Sequence, residues 1–129
     1  DISLPVISPD CIHVKGMCLM PDRIRKFSPL TEASYYILLS LTEPLHGYGI
    51  IKKVEAMSGG RVRLAAGTLY GALTMMLGNR LIDPIGEDEH NKRRKLYCMT
   101  GDGRRLIDYE IGRLQEMVQN GLRETGGER

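Results

Sequence analysis

The sequence predicts a mainly α-helical domain with one small β-hairpin, and two patterns support this prediction. Apolar residues recur at intervals of three and four over three stretches of the first eighty residues and over one long stretch near the end, which is the period of amphipathic helices. Between the third and the fourth stretch the pattern changes to two short runs joined by a polar segment, which is typical of a hairpin.

Composition indicates one globular domain and excludes several classes of protein. The chain has 129 residues, 42% hydrophobic and 26% charged, which is unlike a disordered tail. No apolar stretch is long enough for a membrane span, and the charged residues among the first twenty do not fit a secretory signal, so we expect a cytoplasmic protein without a membrane partner. Three cysteines are an odd number, which argues against a disulfide framework.

Residues 1–28 differ from the remainder because prolines interrupt any helical period. We interpret them as an extended N-terminal arm, either an addition to the domain or partly non-native, since Met17 and Met20 are both candidate start residues. The predicted elements that follow are a helix from Leu30 to Leu41 with a start signal at Thr31 or Ser28-Pro29, a helix between His46-Gly47 and Gly59-Gly60, a short strand over 61–64, and a helix from Ala66 to about Leu77.

The second half of the pattern predicts a hairpin and a long helix. Strands over 81–85 and 94–99 flank a polar loop at 86–93, and Thr100 is placed to cap a helix that extends to about Leu122. This order is that of a winged helix-turn-helix, assigned to 29–100, followed by a C-terminal dimerisation helix and tail at 101–129.

The third predicted helix has the composition of a recognition helix. Opposite its apolar side lie Thr68, Gly71 and Thr74, with Tyr70 beside them, so hydroxyl groups and small residues share one face. A slim face without carboxylates suits entry into the major groove of DNA. An ordinary surface helix is the alternative interpretation.

The returning strand of the hairpin carries four consecutive cations, Lys92 to Lys95. Such a basic wing suits contact with DNA phosphates, although Glu87, Asp88 and Glu89 on the outgoing side also allow a solvated ladder of ion pairs. The last helix has an apolar stripe too wide to leave exposed, which predicts pairing with a second copy through five residues unless the helix folds back on its own domain. These residues are Ile107, Ile111, Leu114, Met117 and Val118.

Several motifs in a fixed order resemble the PadR family of transcriptional regulators. They are Leu30-Thr31-Glu32, Pro44-Leu45-His46-Gly47-Tyr48, Gly67-Thr68-Leu69-Tyr70-Gly71, Leu81-Ile82 and Lys95-Leu96-Tyr97 with Thr100 and Gly103. The resemblance covers about Ser28 to Gly121. It implies a homodimer that binds a palindromic DNA operator, usually as a repressor, with contacts from Tyr48, Thr68, Tyr70, Gly71, Thr74, Asn91, Lys92, Arg93 and Arg94.

The resemblance also implies release from DNA by a small apolar or phenolic effector. This chain has no tryptophan to stack on a planar ligand. The substitutes that the sequence offers are Tyr35, Tyr36 and Tyr109, with Phe27 and Met117 as further candidates, and each of them also suits a packing role.

Two other functions stay open at this stage, and neither requires catalysis. Cys11, His13 and Cys18 could form part of a metal or redox sensor, with His46, His90 or Cys98 as a further ligand, but their spacing is not an established zinc pattern. A winged domain that binds another protein is the second alternative. No catalytic motif is present, so we expect neither an enzyme nor a cofactor.

Overall fold

The computed structural model describes residues 12–14 and 17–126, and for 12–14, 17–19, 88 and 91–93 only the backbone is described. The elements in chain order are β1 (Ile12–Val14), β2 (Met17–Leu19), α1 (Asp22–Arg25), α2 (Glu32–Ser40), α3 (Gly47–Met57), α4 (Ala66–Gly78), β3 (Ile82–Asp88), β4 (Asn91–Met99) and α5 (Gly101–Glu124). Among these residues, no helix has both the length and the apolar character that crossing a membrane requires.

The chain divides into two compact units. One is Leu30–Arg104, and the other combines the described part of Asp1–Pro29 with Arg105–Arg129. The predicted fold class is confirmed, because the first unit contains three helices and a two-stranded antiparallel sheet, and the chain continues into a long C-terminal helix.

Side-chain caps explain where three of the helices begin. The Thr31 hydroxyl accepts a hydrogen bond from Ser34 N (3.1 Å) at the start of α2, and the Thr100 hydroxyl accepts one from Gly103 N (3.0 Å) at the start of α5. At the start of α3, His46 Nδ1 accepts from Gly49 N (3.1 Å). Each cap satisfies an amide that has no acceptor within its helix, which is worth about 1 kcal/mol. The helix starts predicted at Thr31 and Thr100 are therefore confirmed.

The core of the Leu30–Arg104 unit lies among α2, α3, α4 and β3. Its side chains are at most 2% exposed, and removing each large aliphatic group from water contributes about 1.5 to 3 kcal/mol. They are Ile37, Leu38, Leu41, Ile50, Val54, Leu69, Leu73, Met76, Leu81 and Ile82. Except for Leu81 and Ile82 at the start of the hairpin, these residues occupy the apolar positions that the helical period predicted, which fixes the faces that α3 and α4 present to solvent.

The short strand predicted over 61–64 is wrong. Residues 62–64 have no regular secondary structure, and Val62 N donates to the Ser58 hydroxyl (2.9 Å) instead of to a neighbouring strand. The β4 backbone at Tyr97 pairs with Leu45, through Leu45 N to Tyr97 O (3.1 Å) and Tyr97 N to Leu45 O (2.9 Å). The segment that bridges to β4 is therefore the loop before α3 and not residues 61–64.

The hairpin is longer than the sequence predicted. The polar segment expected as a loop over 86–93 is mostly strand, and only Glu89 and His90 lie between β3 and β4. Gly86 has a φ of 125° at a register shift between Pro84 and Gly86, a conformation that a residue with a Cβ rarely adopts. The ladder continues past this bulge, with Glu87 opposite Lys95.

The described part of the second unit also differs from the extended arm expected for 1–28. Ile12–Val14 pairs antiparallel with Met17–Leu19, and α1 forms one helical turn in which Ile24 is 2% exposed. The prolines do not prevent this turn, because Pro21 stands at its N-cap, just before the first helical position.

Candidate nucleic-acid interface

The exposed face of α4 carries the residues predicted to contact DNA. Thr68, Tyr70, Gly71 and Thr74 are all exposed, whereas Leu69, Leu73 and Met76 on the opposite face are buried. No acidic residue occurs between Arg61 and Arg80. The face is therefore slim, rich in hydroxyl groups and free of carboxylates of its own.

The hydroxyl group of Thr74 is engaged within the helix. Thr74 Oγ1 donates to the Tyr70 carbonyl oxygen one turn earlier (2.8 Å), so its hydrogen is used inside α4. What remains for an external partner is an acceptor lone pair and the methyl group. Thr74 can therefore accept a hydrogen bond or make an apolar contact, such as one with the methyl group of thymine.

A cavity of about 260 Å³ lies where α3, α4 and β4 meet. Tyr48 of α3 and Tyr70 of α4 border it with 58% and 53% of their surface exposed. The described residues that line it are His46, Gly47, Tyr48, Tyr70, Arg94, Lys95 and Tyr97. The structure thus brings three predicted DNA contacts, Tyr48, Tyr70 and Arg94, to one opening.

Gly47 permits the close approach of α4 to the start of α3. A Cβ built at this buried glycine would lie 2.6 Å from the Tyr70 hydroxyl oxygen and 3.4 Å from a Leu69 methyl carbon. Any larger residue would push the Tyr70 ring outward. The glycine in the Leu45-His46-Gly47-Tyr48 motif therefore sets the position of the Tyr70 hydroxyl at the cavity.

Two cationic side chains border the tyrosines. The Lys52 ammonium stands 5.6 Å from the centre of the Tyr48 ring, and Arg94 Nη1 is 3.4 Å from His46 Nε2. Lys95 also lines the cavity, although its register partner across the hairpin is the acidic Glu87. Arg94 and Lys95 therefore bring cationic groups to the cavity itself, and Lys52 brings one to the Tyr48 ring.

The remaining predicted wing residues lie at the far end of β4. Asn91, Lys92 and Arg93 are the first residues of that strand and directly follow the Glu89-His90 turn, with Asn91 opposite Asp88. Their position in the backbone is that of a wing tip, and their contact with DNA stays a prediction.

An ion pair joins α2 to the segment that leads into α4. Arg61 donates to the Glu32 carboxylate, and the Tyr36 hydroxyl adds a further interaction with Arg61. The hydrogen bond from Arg61 lowers the pKa of Glu32, and the reciprocal contact raises the pKa of Arg61. This contact ties the segment before the recognition helix to α2.

The apolar stripe of α5 is exposed only in its second half. Leu114, Met117 and Val118 are 36%, 54% and 55% exposed, and Ile111 is half-buried. Ile107, which the sequence analysis included in the dimer surface, is 2% exposed and is buried within the chain. The surface that remains for a second copy is therefore centred on Met117.

The predicted effector residues fall in different units. Tyr35 and Tyr36 form an edge-to-face pair with ring centres 5.7 Å apart, whereas Tyr109 borders a cleft of about 480 Å³. That cleft is also lined by Asp22, Arg25, Lys26, Ser28, Pro29 and Arg113. The buried Glu110 carboxylate behind it accepts from Ser28 Oγ (2.7 Å) and from Arg113 Nε (2.7 Å), and it raises the pKa of Arg113.

The metal-site alternative gains no support from the described residues. Cys11 lies outside them, and His13 and Cys18 are described only as backbone partners in the β1–β2 hairpin. Within the part of the chain that the structure describes, no group of three His, Cys, Asp or Glu side chains could hold a metal ion. Of the proposed further ligands, His46 caps α3 and Cys98 Sγ donates to the Leu41 carbonyl oxygen (3.6 Å).

Sequence reasoning did not place His46 and Tyr97 at this site, although it included Lys95 in the basic run of the wing. They meet the tyrosines only because Leu45 pairs with Tyr97 and brings β4 to the start of α3. The signal for this arrangement was the Leu45-His46-Gly47-Tyr48 motif, in which a histidine directly precedes a helix.

The recognition-helix geometry and the hairpin define a winged helix protein of the kind that regulates transcription. A family model described as "Transcriptional regulator PadR-like family" matches residues 37–108, and the chain belongs to this family. Its members are transcriptional regulators that bind DNA, not enzymes.

A sequence relative is known from Streptomyces fradiae, an uncharacterized 37.1 kDa protein in transposon TN4556. It is 38% identical over 80 residues, which are 61% of this chain and 22% of that protein. The chain therefore spans about a fifth of the length of this relative.

Three solved structures share the fold. BpsR of Bordetella bronchiseptica is 18% identical, with a TM-score of 0.58 over 76% of this chain and 67% of its own. RosR of h. salinarum is 24% identical, with a TM-score of 0.53 over 73% and 79%. The regulator Cth-833 from Clostridium thermocellum is 22% identical, with a TM-score of 0.52 over 78% and 91%.

Proposed function

We propose that this protein is a repressor that binds a palindromic DNA operator as a homodimer. The observation that carries the proposal is the convergence of Tyr48, Tyr70 and Arg94, from the two helices of the helix-turn-helix and from the wing, at one exposed opening. Two hydroxyl groups and a guanidinium at the junction of a recognition helix and a wing suit contact with a phosphate backbone.

In the proposed complex α4 enters the major groove. Thr68, Gly71 and Thr74 face the bases, because they are small residues on the exposed side of a helix that has no acidic residue. Asn91, Lys92 and Arg93 at the tip of the hairpin contact the backbone or the minor groove. The phosphate contacts position the protein, and the α4 side chains select the sequence.

The dimer proposal rests on the exposed apolar residues of α5. Replacing Met117 and Val118 with glutamate would place two charges in a paired helix surface, where they would have no partner. We expect a sedimentation mass half that of the unmodified protein and weaker operator binding, because two linked half-sites bind more tightly than one.

A matched control uses the two exposed residues that follow on the same helix. Gln119→Glu with Asn120→Asp adds the same charge outside the apolar stripe and should leave the dimer intact. An unmodified protein that sediments as a monomer, or a glutamate variant that keeps its dimer mass, would show that α5 does not pair copies of this chain.

Regulation by a small aromatic molecule completes the proposal. The solved structure of BpsR concerns control of its DNA binding by 6-hydroxynicotinic acid, an aromatic acid. In this chain the Tyr109 cleft offers an aromatic ring, a proline and three cationic side chains, a composition that suits a phenolic acid. Tyr35 and Tyr36 form the second aromatic candidate.

A mobility-shift titration tests the proposed function. The protein is titrated against the DNA upstream of its own gene at about 50 and 200 mM salt, with a scrambled duplex as competitor. We expect a specific complex whose affinity falls by orders of magnitude across this range, because several phosphates are neutralised. Adding phenolic acids should release the complex.

Each negative outcome of this titration has a distinct meaning. Binding that the scrambled duplex removes would contradict autoregulation, and a random-sequence selection would then identify the operator. Absence of binding at the lower salt concentration would reject DNA binding altogether and favour a protein partner or a metal-responsive role.

A further inference from the structure

The exposed strip of α3 carries a tyrosine and a lysine one turn apart. Tyr48 and Lys52 are both exposed, and the Lys52 ammonium stands 5.6 Å from the centre of the Tyr48 ring. Ile50 and Val54 occupy the other side of the helix and are buried. We propose that Lys52 binds a phosphate of the DNA backbone and that the Tyr48 ring holds its ammonium in place. This inference rests on the proposed function and adds Lys52 to the residues that perform it.

The position of α3 in the fold places this strip on the proposed path of the DNA backbone. In a helix-turn-helix the second helix enters the major groove, while the first helix crosses the backbone. Here α3 is the first helix and α4 the second, and Tyr48 borders the same cavity as Tyr70 of α4. A cation on the exposed strip of α3 therefore lies where a helix in the groove brings phosphates close.

The contact with the ring turns the lysine toward the start of α3. Lys52 follows Tyr48 by four residues, so its ammonium reaches back by one helical turn to lie over the ring. A cation within about 6 Å of the centre of an aromatic ring is attracted by its face. This contact occupies one side of the ammonium, which has three N–H groups, so donors remain for phosphate oxygens.

The next residue of α3, Lys53, has a different environment. Lys53 Nζ donates to the Ser40 carbonyl oxygen (3.0 Å) and to the Glu43 carboxylate (2.9 Å), which ties α3 to the end of α2. Lys52 forms no ion pair with any residue that the structure describes. Glu55 follows further along α3, whereas the Lys52 ammonium is turned back toward the start of the helix. The fold therefore leaves the charge of Lys52 to an anion from outside the chain.

Lys52→Gln removes the proposed contact, and Lys53→Gln is its matched control because it changes the net charge equally at the next position. We expect Lys52→Gln to weaken binding of an operator duplex by about tenfold, because a charge-assisted hydrogen bond is lost. The slope of log affinity against log salt should become shallower by about 0.9, the value for one neutralised phosphate, whereas Lys53→Gln should keep the slope. Fluorescence anisotropy with a labelled duplex measures both quantities. Arg123→Gln, an exposed change at the end of α5, is a second control.

Two replacements of Tyr48 separate its ring from its hydroxyl group. Tyr48→Phe keeps an aromatic face for the ammonium, whereas Tyr48→Leu removes it. We expect Lys52→Gln to have its full effect on affinity when combined with Tyr48→Phe and a smaller effect when combined with Tyr48→Leu, because without the ring the lysine is no longer held. Equal effects of Lys52→Gln in the two combinations would overturn the role of the ring.

The outcomes distinguish this contact from the proposed function. If the unmodified protein binds the operator and Lys52→Gln keeps the full salt slope, the phosphate contact is overturned while the proposed DNA binding stands. An equal loss of slope in Lys52→Gln and Lys53→Gln would also overturn the contact, because general charge attraction would then explain both losses. A protein that binds no duplex at either salt concentration would overturn the contact together with the proposed function.

Discussion

Replacing Lys92, Arg93 and Arg94 together with glutamine should weaken operator binding by about a thousandfold near 0.1 M salt. Each cation that neutralises a phosphate releases a condensed counterion, so the slope of log affinity against log salt should become shallower by about 0.9 per lost contact. Three contacts predict a change in slope of about 2.7. Fluorescence anisotropy with a labelled operator duplex, repeated over a series of salt concentrations, measures both quantities.

The control for this variant must remove the same charge elsewhere. Lys26, Arg104 and Arg123 are exposed and lie outside the predicted DNA contacts, so their replacement with glutamine changes the net charge equally. This control variant should keep nearly the full slope of log affinity against log salt. If both triple variants weakened binding to the same extent, general charge attraction would explain the loss, and the hairpin would have no specific contact with DNA.

The helices could be predicted because their signals are local. The period of apolar residues and the caps at Thr31 and Thr100 depend on residues within one or two turns, and these signals placed α2, α4 and α5 within two residues of their ends. The buried faces followed from the same period. The identity of the residues on the exposed face of α4 was therefore predictable as well.

Elements that depend on distant pairing were not predictable in the same way. The alternation at 61–64 is that of a strand, but a strand needs a backbone partner, and the segment that bridges to Tyr97 is Leu45 instead. The charged residues from Glu87 to Arg94 have the composition of a loop, yet a bulge at Gly86 and pairing of Glu87 with Lys95 continue the ladder through them. Local composition predicts neither the pairing of Leu45 with Tyr97 nor the continuation of the hairpin ladder past Gly86.

The candidate site also combines residues that local signals predict with contacts that depend on distant pairing. Tyr70 and Thr74 were predictable from the helical face alone, whereas the contact between His46 and Arg94 joins residues 48 positions apart. The pairing of Leu45 with Tyr97 brings these two residues together, and the small volume of Gly47 separately lets Tyr70 approach the start of α3. The buried position of Ile107 likewise depends on tertiary packing, which the helical period cannot report.

Gly103→Ala should be the most destabilising small substitution in the first turn of α5. A Cβ at Gly103 would overlap the Leu81 carbonyl oxygen and would lie 2.8 Å from Met99 Cγ. The carbonyl cannot move aside freely, because it accepts a hydrogen bond from Thr100 N (3.1 Å) at the start of the same helix. Alanine normally favours a helix, but here the turn must shift away from the core.

We expect Gly103→Ala to lower the free energy of unfolding by about 3 kcal/mol, the upper end of the usual cost of overpacking. Urea unfolding followed by circular dichroism measures the loss, at one fixed protein concentration because the proposed dimer makes stability depend on concentration. Gly101→Ala, two residues earlier, meets nothing within 4 Å and should stay within about 0.5 kcal/mol of the unmodified protein. Equal stability of the two variants would mean that the start of α5 does not pack closely against the Leu81 carbonyl oxygen.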